Sequence, residues 1–141
     1  MTIVWRRRDR DVRAALVGTD DASGHDFSRA RLVALDLHGK VLQGCNFEYA
    51  DLTEADLQHS DLRGANLHGA YLTGARLAGA NLAGACLDEA TMLAADLGDS
   101  ILRDATFVGA VWDQSTIWPP GYPPEMGDVG RWHGRARPSS K

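Results

Sequence analysis

Cysteine is scarce in this 141-residue chain: Cys45 and Cys86 are its only two, and they form neither a CxxC pair nor a Cys/His ligand spacing. A disulfide framework and a thiolate zinc site are thereby excluded, and both side chains are expected to be free thiols. No apolar run approaches the ~20 residues that cross a bilayer. Met1-Thr2-Ile3-Val4-Trp5 precedes Arg6-Arg7-Arg8, the reverse of a signal peptide's charge-then-apolar order. These features fit a reducing cytoplasm and give no expectation of membrane association. No nucleophile-and-base set, phosphate loop or metal spacing occurs, so catalysis, a cofactor and a bound metal are not expected.

Positive charge is sparse through the middle of the chain, where residues 20–118 carry 15 acidic and 6 basic side chains, a net of −9. Residues 1–19 carry +3 and residues 119–141 carry +2. An acidic body with basic ends argues against direct nucleic-acid binding along the body, because phosphates are held by Lys and Arg. The length suits one domain.

What the chain has in abundance is one five-residue unit. A large apolar residue recurs at Phe27, Leu32, Leu37, Leu42, Phe47, Leu52, Leu57, Leu62, Leu67, Leu72, Leu77, Leu82, Leu87, Met92, Leu97, Leu102, Phe107, Trp112 and Ile117. Read this way, the period runs through nineteen units without a slip. Two positions before the large residue the side chain is nearly always small, as at Ala50, Ser60, Ala70, Ala85, Ser100, Ala110 and Ser115. Spacing of two puts side chains on one face of an extended segment, whereas a strict five fits neither a helix nor a continuous strand. Each unit is therefore a short extended piece plus a corner. The remaining positions supply corner chemistry, with Asp or Asn before the large residue and Gly at positions such as 39, 64 and 84. A corner of constant hand repeated along the chain winds a solenoid whose coils stack at ~4.8 Å.

The units Ala50-Asp51-Leu52, Ala55-Asp56-Leu57, Ala65-Asn66-Leu67 and Ala80-Asn81-Leu82 spell out A(D/N)Lxx, and with them residues 25–118 resemble the pentapeptide-repeat family. The resemblance implies an all-β fold, a right-handed quadrilateral parallel β-helix with four units per coil and about four to five coils here. Residues twenty apart should then stack. Lys40 and Leu35 occupy slots meant for small residues, so the first coil is expected to be irregular, with Lys40 snorkelling outward. Cys45 falls in an inward slot and Cys86 in an outward one.

Open coil edges need covers. Residues 1–24 read as a basic segment and a short capping helix, Asp9 to Val17, whose Val12, Ala15 and Leu16 side lies over the first coil. Residues 119–141 read as a Pro-rich cap and a mobile basic tail. Prolines at 119, 120, 123 and 124 cannot donate to a ladder and are expected to end strand addition. The same ending resembles one found in many family members.

Three surface features are candidates. Asp36, Asp56 and Asp96 share one expected face, with Asp51, Glu54 and Asp61 beside them and Arg76 interrupting; together these acids form a candidate interaction stripe. Stacked like charges repel, which favours a binding role, but Asp before the large residue also serves the corner itself, and that plainer reading weighs more. Tyr71, Leu93 and Val111, with Thr91, form a candidate dimer or partner patch. His38 and His59 lie one coil apart, and exposed repeat-position histidines explain them without a metal.

The resemblance implies a non-catalytic protein-interaction module. Some family members are acidic DNA-mimicking rods that bind type II topoisomerases such as DNA gyrase and inhibit them or protect them from poisons, a role tied to antibiotic resistance. This chain shares the acidity but has few coils, no inserted loop and no evident dimerisation helix. A structural adaptor for another protein partner is the alternative.

Overall fold

A computed structural model describes residues 9–122 and 131–132. Among the described residues one α-helix, α1 (Asp9–Val17), precedes a long series of one-residue parallel bridges, and two short strands close it, β1 (Val111–Trp112) and β2 (Arg131–Trp132).

The bridges run twenty residues apart, from Asp21↔Val41 through Thr91↔Val111, so a coil contains four five-residue units. Four columns result, which we number as faces in chain order. The first holds Asp21, Val41, Asp61, Asn81 and Ile101; the second Asp26, Asn46, Asn66, Cys86 and Thr106. The third holds Arg31, Asp51, Tyr71, Thr91 and Val111; the fourth Asp36, Asp56, Arg76, Asp96 and Ile117. The ladder already opens at Asp21, ahead of residue 25, because Ala22 fills a large-residue slot and so escapes the sequence pattern.

Each corner follows one rule. The N–H of the small residue donates to the carbonyl of the large residue three positions earlier, as Ala75 does to Leu72 at 3.0 Å. The residue before the small one takes positive φ, as a type II turn requires at its third position. This holds in every unit from Gly24 to Gly109, with Glu54 at +59° and His59 at +58° among the non-glycines. Three further bonds per unit join neighbouring coils, for example Tyr71 N–H to Ala50 C=O, Leu72 N–H to Thr91 C=O and Gly74 N–H to Leu93 C=O. The backbone is thus satisfied without any long strand.

Leu, Phe, Met and Ala from the four sides meet in one buried column, from Phe27 and Leu32 at one end to Phe107 and Trp112 at the other. Phe27 stacks on Phe47 with ring centroids 5.4 Å apart. Cys45 lies in the shaft, where burial pushes its thiol up to about 11, and Cys86 is half-buried on the second face; neither is in a disulfide.

The first coil is regular, contrary to expectation, since its four bridges and its corner bonds match those of later coils. Lys40 does not turn outward. It is 9% exposed, and its ammonium donates to Thr19 C=O at 2.5 Å, with Asp20 at 3.9 Å. An end coil has no coil before it, so the long stem lies in the shaft and the charge is met by the incoming chain. Val12 and Leu16 of α1 are buried in the same core, and Arg13 Nη1 donates to Val33 C=O of the first coil at 2.8 Å.

At the other end the period does slip. After Trp112 the turn bond moves from the anticipated Ser115 to Thr116, whose N–H donates to Asp113 C=O at 3.1 Å, and Ile117 pairs with Asp96, twenty-one residues away. One extra residue has entered. Thr116 takes the small slot, with its hydroxyl donating to Met92 C=O at 2.8 Å, and Trp118 packs against the core. Ile117, assigned to the core column from the sequence, is instead 54% exposed. The larger indole of Trp118 wins the site, packing edge-on against Phe107 and Trp112 at 5.5 and 5.2 Å. The prolines do not end the ladder either: β2 pairs in parallel with β1, Val111↔Arg131 and Trp112↔Trp132, restoring the twenty-residue spacing beyond them. The rest of the tail expected to be mobile lies outside the described residues.

Candidate interaction surface

Inward slots hold almost only apolar side chains, so charge is distributed over the four faces and the corners between them. The acidic stripe is built on the fourth face, where bridges place Asp36, Asp56, Arg76 and Asp96 in one column. Asp51 belongs to the third face and Asp61 to the first, the two faces flanking it; Glu54 sits at the corner between third and fourth.

Most of these carboxylates hold their own corner. Asp36, Asp51, Asp56, Asp61 and Asp96 each accept a hydrogen bond from the backbone N–H two residues on, at 2.9 to 3.2 Å. Asn46, Asn66 and Asn81 do the same, so the bond belongs to the repeat rather than to the charge. Glu54 follows its large residue instead of preceding it, and extends over Gly74 of the next coil.

Two members are tuned further. Arg63 grips Asp61 through Nε and Nη2 at 2.9 and 2.7 Å, and Gln43 adds a bond at 2.6 Å, which holds the carboxyl at about 2 despite partial burial. For Asp56, partial burial opposes ionisation, but bonds from Gln58 and the charges of Arg76 and His38 bring the carboxyl below its usual range. Arg76 Nη1 lies 3.7 Å and His38 Nδ1 4.0 Å from this carboxylate. The stripe is therefore a column of acids cross-braced by basic side chains, not an unbroken negative strip.

The residues of the candidate dimer or partner patch lie on the third face and its corner. Tyr71, Thr91 and Val111 are consecutive rungs, Tyr71 is 49% exposed, and Leu93 is half-buried at the adjoining corner. Val111 is also the rung that receives Arg131. Beside Tyr71, at the corner between second and third faces, lies a cluster the sequence reading missed. Arg29 stacks over Tyr49 at 4.9 Å, and Tyr49 meets His68 edge-on at 5.5 Å. The twenty-residue spacing that stacks Arg29, Tyr49 and Gly69 was the signal that could have found it.

His38 and His59 come together with ring centroids 5.5 Å apart. Among the described residues no group of three or more His, Cys, Asp or Glu side chains is arranged to hold a metal ion. A groove of about 210 Å³ between α1 and the first coil is lined by residues including Leu16, Ala22, His25 and Phe27. No helix among the described residues is long and apolar enough to cross a membrane.

A family model for pentapeptide repeats matches residues 41–78 and 57–92 of the chain. Among solved structures, the pentapeptide repeat protein Rfr23 from the cyanobacterium Cyanothece 51142 is 37% identical over 70% of this chain, with a TM-score of 0.51. The match spans 63% of the length of Rfr23. A pentapeptide repeat protein from the Arabidopsis thaliana thylakoid lumen is 29% identical over 72% of this chain and 70% of its own, with a TM-score of 0.47. QnrB1, a plasmid-mediated fluoroquinolone resistance protein, is 20% identical over 70% of this chain and 59% of its own, with a TM-score of 0.29, too low to carry a function across. No curated protein matches the chain significantly.

Proposed function

Because the chain belongs to the pentapeptide-repeat family, we propose that it is a non-catalytic protein-interaction module, a short right-handed quadrilateral β-helix of four to five coils capped by α1. The carrying observation is the division of labour across the wall: Leu, Phe and Ala fill the shaft, while most charged and polar side chains, with Tyr71, stand on the four outward faces. Binding then falls to the stripe of Asp36, Asp51, Glu54, Asp56, Asp61 and Asp96 and to the patch around Tyr71, Leu93 and Val111.

The partner we favour is a type II topoisomerase such as DNA gyrase, engaged by the acidic body as a stand-in for DNA. The net charge of −9 over residues 20–118 supports this, since a groove that accepts phosphates accepts carboxylates. A supercoiling assay with purified gyrase, with and without a fluoroquinolone, tests it; the rate or the drug sensitivity should change as the chain is titrated in. No change at large molar excess removes the topoisomerase. The cross-bracing by Arg63 and Arg76 favours a second reading, an adaptor for another protein, because an unbraced stripe would suit a DNA mimic better. The adaptor should retain one protein from its native cell that a Tyr71→Ala chain fails to retain, and identical capture by both chains would defeat it.

A further inference from the structure

The groove between α1 and the first coil combines a fixed apolar wall with polar groups of one kind. It measures about 210 Å³; Leu16, Ala22 and Phe27 supply apolar lining, and Thr19, Asp21 and His25 supply the polar side chains. Leu16, Ala22 and Phe27 are each at most 2% exposed, so this wall is part of the close-packed core and is set before any ligand arrives.

The hydrogen bonds of the three polar side chains leave acceptors. His25 Nδ1 lies 2.7 Å from Ala22 C=O and 3.2 Å from Ser23 C=O. Carbonyls only accept, so Nδ1 carries the proton of the neutral ring and Nε2 keeps its lone pair. The ring is also held against Phe27, with centroids 5.9 Å and planes 20° apart. Thr19 uses its single hydroxyl proton on Asp21 C=O at 3.0 Å, which leaves the lone pairs of the oxygen. Asp21 Oδ1 accepts from Ser23 N–H at 2.9 Å, and a carboxylate has acceptor sites beyond that one. The neighbouring cation, Lys40, is already met by Thr19 C=O and Asp20.

Three acceptors, one of them negatively charged, beside an apolar wall suit a ligand of the opposite character. It needs a positive charge, several N–H donors and a small apolar body. A protonated primary amine has all of these, and its three N–H donors equal the acceptors in number. A benzene ring is held by a cavity of about 150 Å³, so one ring with an aminomethyl arm is of the right size.

We propose that this groove binds a small primary amine with an apolar body, its ammonium at Asp21 and His25 Nε2 and its body against Leu16 and Phe27. Bound there, the amine touches both α1 and the first coil, tying the helical cap to the solenoid and stabilising the fold by mass action. Asp21 is on the first face and His25 directly precedes the second, so the site is separate from Tyr71 and the fourth-face acids. It goes beyond the interaction-module reading and stands without it.

The test titrates benzylamine into the uniformly labelled full-length chain and follows the backbone amides by nuclear magnetic resonance. Saturable shifts should centre on Leu16, Ala22, His25 and Phe27, and the melting temperature should rise with benzylamine concentration. On the wild-type chain, neutral benzyl alcohol should bind about tenfold more weakly, because it brings no charge to Asp21. Ammonium chloride, which has no apolar body, should produce no saturable shift there. Asp21→Asn keeps the acceptor for Ser23 N–H and should weaken benzylamine about tenfold. Asp99→Asn, an equal loss of charge in the fourth coil, should leave binding unchanged, with circular dichroism confirming the fold of both variants. No saturable shift, equal binding of benzyl alcohol, equal shifts from ammonium chloride, or equal weakening by Asp21→Asn and Asp99→Asn would each overturn the proposal.

Discussion

Gly69 and Gly84 share a backbone conformation, φ +65° and +68°, but not a neighbourhood. A Cβ at Gly84 meets nothing within 4 Å, whereas at Gly69 it would stand 2.3 Å from the Tyr49 ring. Gly84→Ala should cost about 1–2 kcal/mol, the left-handed penalty alone. Gly69→Ala should cost about 1 kcal/mol more, since it must also push Tyr49 off His68. Urea denaturation of both, and of Gly69→Ala in a Tyr49→Ala background, checks this; the excess should vanish with the ring. Equal costs for the two glycines would show that Tyr49 is not packed there. The thiols differ in the same residue-by-residue way. Cys45, buried and pushed up to about 11, should resist iodoacetamide in the folded chain, and Cys86 should be the thiol that reacts.

Asp61 sets an acid limit. Its carboxyl titrates at about 2 when folded and near 3.9 when unfolded, so the unfolded chain binds the proton more readily. Its contribution is then complete above about pH 4 and is lost as pH falls through about 2. Between pH 5 and 2 the unfolding midpoint of an Asp61→Asn chain should fall less steeply than that of the wild type. Parallel curves would mean that Arg63 and Gln43 do not favour the ionised form.

At the scale of elements, the register of the last coil makes a sharp contrast. Ile117 is 54% exposed and Leu97 is fully buried, although both stand in the large-residue phase of the sequence. Ile117→Asp should therefore change stability by less than about 0.5 kcal/mol, while Leu97→Asp, which buries an unpaired charge or must neutralise it, should cost several kcal/mol and unfold the chain. A severe effect at Ile117 would restore the unbroken period. At the opposite end, Leu16→Ala in α1 should cost about 2–4 kcal/mol if the helix is part of the core rather than an appendage. A chain as stable as the wild type would detach α1 from the fold.

These elements also mark where the sequence was legible. The period of five and the inward pair two apart follow from side-chain type, because only apolar residues can line the shaft, whereas the stacking of positions twenty apart came from the family resemblance. The slip after Trp112 was not legible. Ser115 and Thr116 are both small enough, Ile117 and Trp118 both apolar enough, and the choice is made by contacts among Trp118, Phe107 and Trp112. Lys40 was misjudged because its partner, Thr19 C=O, belongs to the backbone, which has no sequence signature. The acids of the candidate stripe could be named from the sequence, but Arg63 on Asp61 and Arg76 on Asp56 became visible only in three dimensions.

For the whole molecule, the fold fixes shape and leaves recognition to a small number of outward residues. A coil exchanges hydrogen bonds only with its neighbours, so stability accumulates locally and changes on one face need not disturb another. Faces can therefore diverge within one scaffold, as the Asn pair of the second and the Asp and Arg column of the fourth already do. The central claim is that backbone bonds connect residues nineteen apart around a common axis. Through-hydrogen-bond scalar couplings in a uniformly labelled sample read this directly. Couplings are expected from Leu52 N–H to Tyr71 C=O and from Leu72 N–H to Thr91 C=O, whereas couplings from these amides to carbonyls four residues earlier would reveal helices and contradict the coiled arrangement.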